Sequence, residues 1–437
     1  MIKTDFTKDL MNFIDSGVTA FQATEESKKI LNENGFIELE LNKPWNLKSL
    51  DDSEGKYYVV KNLSSIVAFT INSKNIEEEG FRIVGSHSDA PTFRIKPNAE
   101  VSAEKDSYLK LNIEAYGGAI YSTWYDRPLS IAGRVTLKGE NILHPVEKLV
   151  DFKKPMCIIP NLAIHMNRAV NEGTKINVQE DMYPLVGLLG ENLEKENYLI
   201  KKIAKELNVN QDEILDFDLF LYDVQKASLV GENDEFLSVG RQDNLSMAYA
   251  SLRGIINADA KSGVNIASVF DNEEVGSQTK QGADSNMLLN IMEKISLSLG
   301  KTREEFLNAI YSSFVISADL AHAAHPNRPG KCDPTTRPVM GKGPAIKESA
   351  NQAYTSDSVS IGIYKSICEK AGVSYQSFVN RSDEKGGSTI GPKSASHIDI
   401  NSVDIGCPIL AMHSVRELGA VSDYIDTYKT FVAFFEI

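Results

Sequence analysis

The sequence predicts an α/β protein in which one domain is interrupted by a β-rich insert. Three observations carry this. After Gly240 the chain alternates long helical patterns with short, wholly apolar runs such as NIASVF and FVISA, the signature of buried strands under helices. Between about Asn98 and Asp234 the texture changes to short alternating runs, YLKLNIEAY, RVTLKG and MCIIP, with glycine pairs and turn signals. Finally, His87 and Asp89 precede this module and the other chemically suggestive residues follow it, so both flanks, 1–97 and 235–437, belong to one domain. The length of 437 residues agrees with two domains, because single cores seldom grow beyond ~300 residues.

The elements follow in order. Amphipathic helices are expected around Asp5–Ile14 and Ala20–Glu33, the second ended by Asn34-Gly35. Strands are expected at YYVVKN, SIVAFTI and FRIVGSH, separated by polar turns. The insert, 98–234, adds alternating strands and a helix near Asn192–Leu207. GRQDNLSMAYASLRGII then starts a helix close to Asp243, and NIASVF, SSFVIS and PILAM supply further strands.

Composition excludes several function classes. A formal charge of −14 argues against nucleic acid or an anionic membrane surface as partner. The segment MIKTDFTKDLMNFIDSG has no apolar core, so no signal peptide is expected, and no apolar stretch reaches the ~18 residues needed to span a bilayer. Cys157, Cys332, Cys368 and Cys407 are scattered without a C-x-x-C pair, which fits a reducing cytoplasm.

Five separated residues then stand out as a ligand set for two metals: His87, Asp243, Glu274, Asp319 and His413. Four close or follow an apolar run, and in open α/β sheets functional groups collect beyond the carboxyl ends of the strands. Histidine and carboxylate ligands without thiolate suit zinc, with cobalt or manganese as substitutes. Two divalent ions, three carboxylates and one hydroxide also close to neutrality, a sensible state to bury.

Each motif is weak alone. H-x-D at a strand end is common, although residues two apart in extended backbone face one side, so Asp89 can back the His87 imidazole. Glu273-Glu274 is the kind of pair that usually faces solvent, but here it stops an apolar strand. Adjacent strand-end residues point apart, which would let one bind metal while the other addresses a water. Arg416-Glu417 reads as an ordinary exposed pair.

Together, HSDAPTFRIKP, GRQDN, DNEEVGS, SADLAHAAHPN, GKGPAIK, GGSTIGP and DIGCPILAMHSVRE resemble, in order, the motif series of the M18 metallo-aminopeptidases. HSDAP departs from the more usual H-T-D-S-P while keeping the chemically active positions. The resemblance implies a three-layer zinc-exopeptidase catalytic domain, an inserted dimerisation domain, and dimers assembled into a tetrahedral homododecamer. It implies that Asp243 bridges two ions, with His87 and Asp319 completing one site and Glu274 and His413 the other. It makes Glu273 the general base and Asp89 the residue that orients His87. It further suggests His322, Lys347 and Tyr354 as substrate contacts, and His165 as a histidine reaching into the neighbouring subunit's site.

The expected reaction is hydrolysis of the first peptide bond of short peptides, with a preference for acidic first residues drawn from Lys347. Two other readings stay open on the residues: a related dinuclear deacylase or carboxypeptidase, and a metal-binding assembly protein without turnover.

Overall fold

A computed structural model describes residues 2–50, 55–384 and 386–437. By its internal contacts the chain divides into two units. One comprises Met1–Asp89, Ala227–Met412 and Glu417–Ile437; the other comprises Ala90–Lys226 and His413–Arg416. The sequence-based boundary at 98 falls inside a continuous strand, Thr92–Ala103, and residues on either side of 234 form a hairpin of the first unit. A change of texture along the chain marks where alternation begins, whereas contacts mark where a strand changes neighbours.

The first unit is built on a nine-stranded sheet among the described residues. Its order is Ile37–Glu38, Lys56–Lys61, Ser65–Ile71, Val264–Phe270, Phe81–His87, Phe314–Ala318, Asn401–Gly406, Ala345–Lys347, Gln376–Phe378. The four central strands, Val264–Phe270 through Asn401–Gly406, run parallel. Their carboxyl ends therefore share one edge, where Phe270 pairs with His87 and Ala318 with Ile405.

Both faces of this sheet are covered, as the unbroken apolar runs require. Side chains along each strand alternate between two cores. Ile66, Ala68, Ala267 and Val269 join helices Ile2–Ser16, Ala20–Glu33, Gln242–Asn257, Ser358–Ala371 and Val421–Phe435. Val67, Phe69, Ile266 and Phe270 join helices Met287–Ser298, Arg303–Tyr311 and Ile390–Ile398. Helix, sheet and helix make three layers. Burying each such Val, Ile or Phe contributes ~1.5–3 kcal/mol, so the sheet that carries the site is firmly held. Helix starts are locally encoded: Thr302 accepts from Glu305 N while Glu305 reaches back to Thr302 N. A five-stranded sheet, from Ser228–Val230 to Ala321–His322, completes this unit.

The second unit is a six-stranded antiparallel sheet, ordered His144–Asp151, Leu129–Asn141, Ile214–Asp223, Thr92–Ala103, Tyr108–Tyr116, Leu185–Leu188. The helix at its core, Tyr198–Leu207, starts later than the expected Asn192 and contributes Tyr198, Leu199 and Ile203. Among the described residues, no helix is long and apolar enough to cross a membrane.

Candidate metal centre

His87 ends its strand fully inside the protein, and its ring is held from behind by Asp89. Nδ1 lies 3.1 Å from the Asp89 carbonyl oxygen and 3.3 Å from Asp89 Oδ1. On the other side Nε2 faces a crowd of carboxylates: Asp243 Oδ1 at 3.4 Å, Asp319 Oδ1 at 3.7 Å and Glu273 Oε2 at 4.0 Å.

Each carboxylate reaches this point through its own backbone device. Asp243 lies inside Gln242–Asn257, but it and Asn244 have non-helical dihedrals, and the peptide between them is cis. Arg241, two residues earlier, takes φ +60°. The segment is pinned by Glu417, whose Oε2 accepts Asp243 N at 3.1 Å, and by Asn244, whose amide donates to the Ala318 carbonyl at 2.9 Å. Glu417 is buried, contrary to the exposed pair read from the sequence; Arg416 instead donates to the carbonyls of Gln225 and Lys226 in the second unit.

Glu273 and Glu274 do not end the strand directly. They occupy a 3₁₀ turn, Glu273–Val275, entered through Asn272 at φ +62°. Asparagine tolerates that left-handed conformation better than most residues. Both backbone N–H groups of the pair donate to Asp89, to Oδ1 and Oδ2, each at 3.1 Å. The two side chains consequently do not point apart: each offers an oxygen within 4.8 Å of a His87 ring nitrogen and of the other.

Asp319 follows the strand Phe314–Ala318. Its backbone passes so close to Gly406 that a Cβ there would lie 1.7 Å from the Asp319 carbonyl oxygen, which explains the glycine in DIGCP. Lys347 stands at the end of Ala345–Lys347, buried, with Nζ 3.7 Å from Asp319 Oδ2 and 5.6 Å from the centre of the Tyr354 ring. Tyr354 and His322 both meet Phe378 edge-on, at 6.2 and 6.0 Å. Tyr354 is buried; His322 is exposed.

The electrostatics show what the crowd lacks. Burial first, then Asp319, Asp89 and Asp243 against the pull of His87, push Glu273 up to about 8. Burial and then the neighbouring Asp243 raise Glu274 well above the usual carboxylate range. Burial likewise, followed by Asp89, lifts Asp271 to about 7. Burial opposes charge on His87, but Asp243, Asp319 and Asp89 outweigh it and raise its pKa. Burial also opposes ionisation of Asp319, yet Lys347 and His87 hold its pKa below the ordinary value.

Asp89, Asp243, Glu273, Glu274 and Asp319 thus converge with one imidazole and one ammonium to balance them. Such an excess of buried negative charge calls for cations. The donor chemistry fits: His87, Asp243 and Asp319 offer ligand atoms within 4.8 Å of one another, all oxygen or imidazole nitrogen.

The other expected residues are placed as follows. His413 has φ +66° and belongs by its contacts to the second unit, where Nδ1 lies 3.1 Å from the Gly118 carbonyl. That bond fixes the ring orientation. His165 lies in a turn of the second unit and is exposed, as are Leu162, Ile164 and Met166 around it, so it is no core histidine. What the sequence did not reveal is the scaffolding: the two-pronged Asp89 grip, buried Glu417 and the Lys347–Asp319 pair. The DIGCPILAMHSVRE motif held the only sequence signal for Glu417.

A carboxylate-rich, histidine-poor centre at the carboxyl edge of a parallel sheet fits a metal-dependent hydrolase. Residues 13–435 match the family model described as aminopeptidase I zinc metalloprotease (M18). A probable M18 family aminopeptidase 2 from Clostridium novyi is 54% identical over 435 residues, covering 100% of this chain and 99% of the relative. Among solved structures, a chain of the Ape4 and Nbr1 complex superposes with TM-score 0.93 at 34% identity, covering 99% of this chain and 86% of that one. The mApe1 dodecamer of S. cerevisiae gives TM-score 0.84 at 26% identity, covering 99% and 96%. The protein belongs to the M18 family of metallo-aminopeptidases and shares its α/β fold.

Proposed function

We propose that the protein removes the amino-terminal residue from peptides at a centre of two divalent ions, most simply zinc. The observation that carries this is the convergence of Asp243, Asp319 and Glu273 on His87 Nε2, backed by Asp89. Asp243 would be the shared ligand, with His87 and Asp319 on one ion; Glu274 and, by its motif, His413 would serve the other. When bound, the ions supply Lewis-acid polarisation of the scissile carbonyl and bring the pKa of water toward ~7.

Glu273 takes the proton from the attacking water and returns it to the leaving amine. Its carboxylate, 4.0 Å from His87 Nε2, is placed for that exchange, worth roughly 10²–10⁴-fold in rate. Asp89 keeps the His87 ring oriented and simultaneously holds the Glu273-Glu274 backbone, so ligand and base share one anchor. His322, Lys347 and Tyr354 form the substrate-facing side. Lys347 favours acidic first residues, because an ammonium attracts Asp or Glu and repels Lys or Arg.

The insert forms a two-fold interface, and His165 acts in the neighbouring subunit, within a dodecamer of the kind reported for mApe1. The four free cysteines, three of them buried, suit a reducing cytoplasm. A panel of aminoacyl-anilides and their N-acetylated counterparts, offered to metal-reconstituted protein, tests the reading. Hydrolysis of the anilide confined to free-amine substrates is expected; release of acetate from the acetylated set would point to a deacylase instead.

A further inference from the structure

GGSTIGP and the strand that contains the Asp-Ile-Gly of DIGCP have no part in the chemistry described above, yet they meet at one side chain. Asp404, in strand Asn401–Gly406, is fully buried. Its Oδ1 accepts Ser317 Oγ at 2.5 Å and Thr389 Oγ1 at 2.6 Å. Its Oδ2 accepts Thr355 N at 2.6 Å and Thr355 Oγ1 at 2.8 Å.

The donors come from three segments, and each leads to the site. Ser317 lies in strand Phe314–Ala318 and precedes Asp319, just beyond the strand's end, by two residues. Thr355 directly follows Tyr354. Thr389 precedes helix Ile390–Ile398 and follows Gly386-Gly387, which line a cavity of about 320 Å³ together with His322 and Phe378. The strand Ala345–Lys347 pairs beside Asp404, with Ile346 opposite Ile405. The space for the carboxylate is reserved: a Cβ on Gly391 would lie 2.5 Å from Asp404 Oδ2.

Burying a carboxylate costs stability unless its lone pairs are filled, and an apolar residue would fill the same volume at less cost. What the carboxylate adds is a geometric link between segments that otherwise have separate freedom. We infer that Asp404 is a positioning residue for the substrate. By gathering Ser317, Thr355 and Thr389, it sets the Lys347–Thr355 segment and the GGSTIGP turn in register with the strand that leads to Asp319. This rests on His322, Lys347 and Tyr354 being substrate contacts.

The test uses zinc-reconstituted full-length protein and the free-amine anilide that it cleaves best. Asp404→Asn keeps the shape but replaces one acceptor oxygen by a donor. It should raise KM ~10-fold or more with kcat changed less than ~3-fold and bound metal unchanged. Thr389→Val, which deletes one donor, should raise KM by a smaller factor, and Thr389→Ser, which restores the hydroxyl, should return it toward the parental value. Equal KM for Thr389→Val and Thr389→Ser overturns the inference, as does a loss of metal or of folded protein with KM untouched. If Asp404→Asn does not fold, the Thr389 pair decides alone. Lys347→Met in the same assay separates the two layers. An effect of Lys347→Met without one of Thr389→Val overturns the role of Asp404. The reverse leaves Asp404 in place and removes Lys347 from the substrate contacts.

Discussion

The Lys347 ammonium stands 3.7 Å from Oδ2 of Asp319, with both side chains buried. A lysine offered to the substrate by its motif is therefore already engaged with a candidate metal ligand. Burial opposes its charge, but Asp319, together with Tyr354, Asp404 and Asp243, outweighs it and raises its pKa. If Lys347 also meets the first side chain, Lys347→Met should narrow the ratio of aspartyl to leucyl hydrolysis, roughly tenfold for ~1.4 kcal/mol of lost attraction. Equal losses on every substrate would instead assign Lys347 to Asp319 alone. Steady-state kinetics on both anilides decides.

The candidate metal ligands stood out because their types are rare and their positions regular. Seven histidines serve 437 residues, and His87 and His413 both sit just after apolar runs beside acids. The ordered series of motifs carried the family and its fold. The supports were not legible, since hydrogen bonds between residues far apart in sequence leave no periodic trace. Asp89 and Glu274 are 185 residues apart, and Asp243 and Glu417 are 174 apart. Glu417 looked like half of a surface ion pair only because the chain path that buries it is a tertiary property. Lys347 is equally ambiguous in sequence, because its place in the sheet, next to Asn401–Gly406 and one strand removed from Phe314–Ala318, is a tertiary property.

Glu273→Gln removes proton transfer and leaves a side chain of the same shape. Metal content measured by elemental analysis should stay at the parental level while kcat falls by at least ~10²-fold. Near-parental turnover with full metal would take Glu273 out of the base role.

Asp89 is asked to do two things at once, so its loss should be felt twice. In Asp89→Asn one acceptor oxygen becomes an N–H donor, facing either the His87 ring or a backbone N–H of the glutamate pair. Disturbing such a backing carboxylate typically weakens metal binding by ~10–100-fold. Competition titration with a chelator measures that. A fall in kcat at saturating metal would report the displaced Glu273, and unaltered affinity together with unaltered kcat would contradict both roles.

Asp423 gives a pH prediction away from the metal ligands. Burial raises it to about 6, while the N–H groups of Gly341 and Gly343, donating at 2.7 and 2.9 Å, work in the opposite direction. Its folded pKa lies above the ordinary aspartate value, so the folded state binds the proton more tightly. This contribution to stability is fully present below about pH 4 and is lost as pH rises through about 6, amounting to ~3 kcal/mol. Asp423→Asn removes the titration. The difference in unfolding free energy between variant and parent should therefore shift in the variant's favour from pH 5 to pH 7.5, as read by denaturant titration. A pH-independent difference would show that Asp423 titrates alike folded and unfolded.

His165 is exposed in a turn whose neighbours Leu162, Ile164 and Met166 are exposed as well, an arrangement costly for an isolated chain and ordinary for an interface. If the insert makes a two-fold contact and His165 serves the neighbouring site, the defects of two inactive chains can complement. Glu273→Gln supplies an intact His165, and His165→Ala supplies an intact Glu273. In a mixed dimer one site has both residues and the other has neither. Random mixing after dissociation should restore about a quarter of parental activity: half the dimers are mixed, and each carries one complete site of two. Native mass spectrometry verifies the mixing. Verified mixed oligomers without recovered activity would mean that His165 acts within its own chain or takes no part in the reaction.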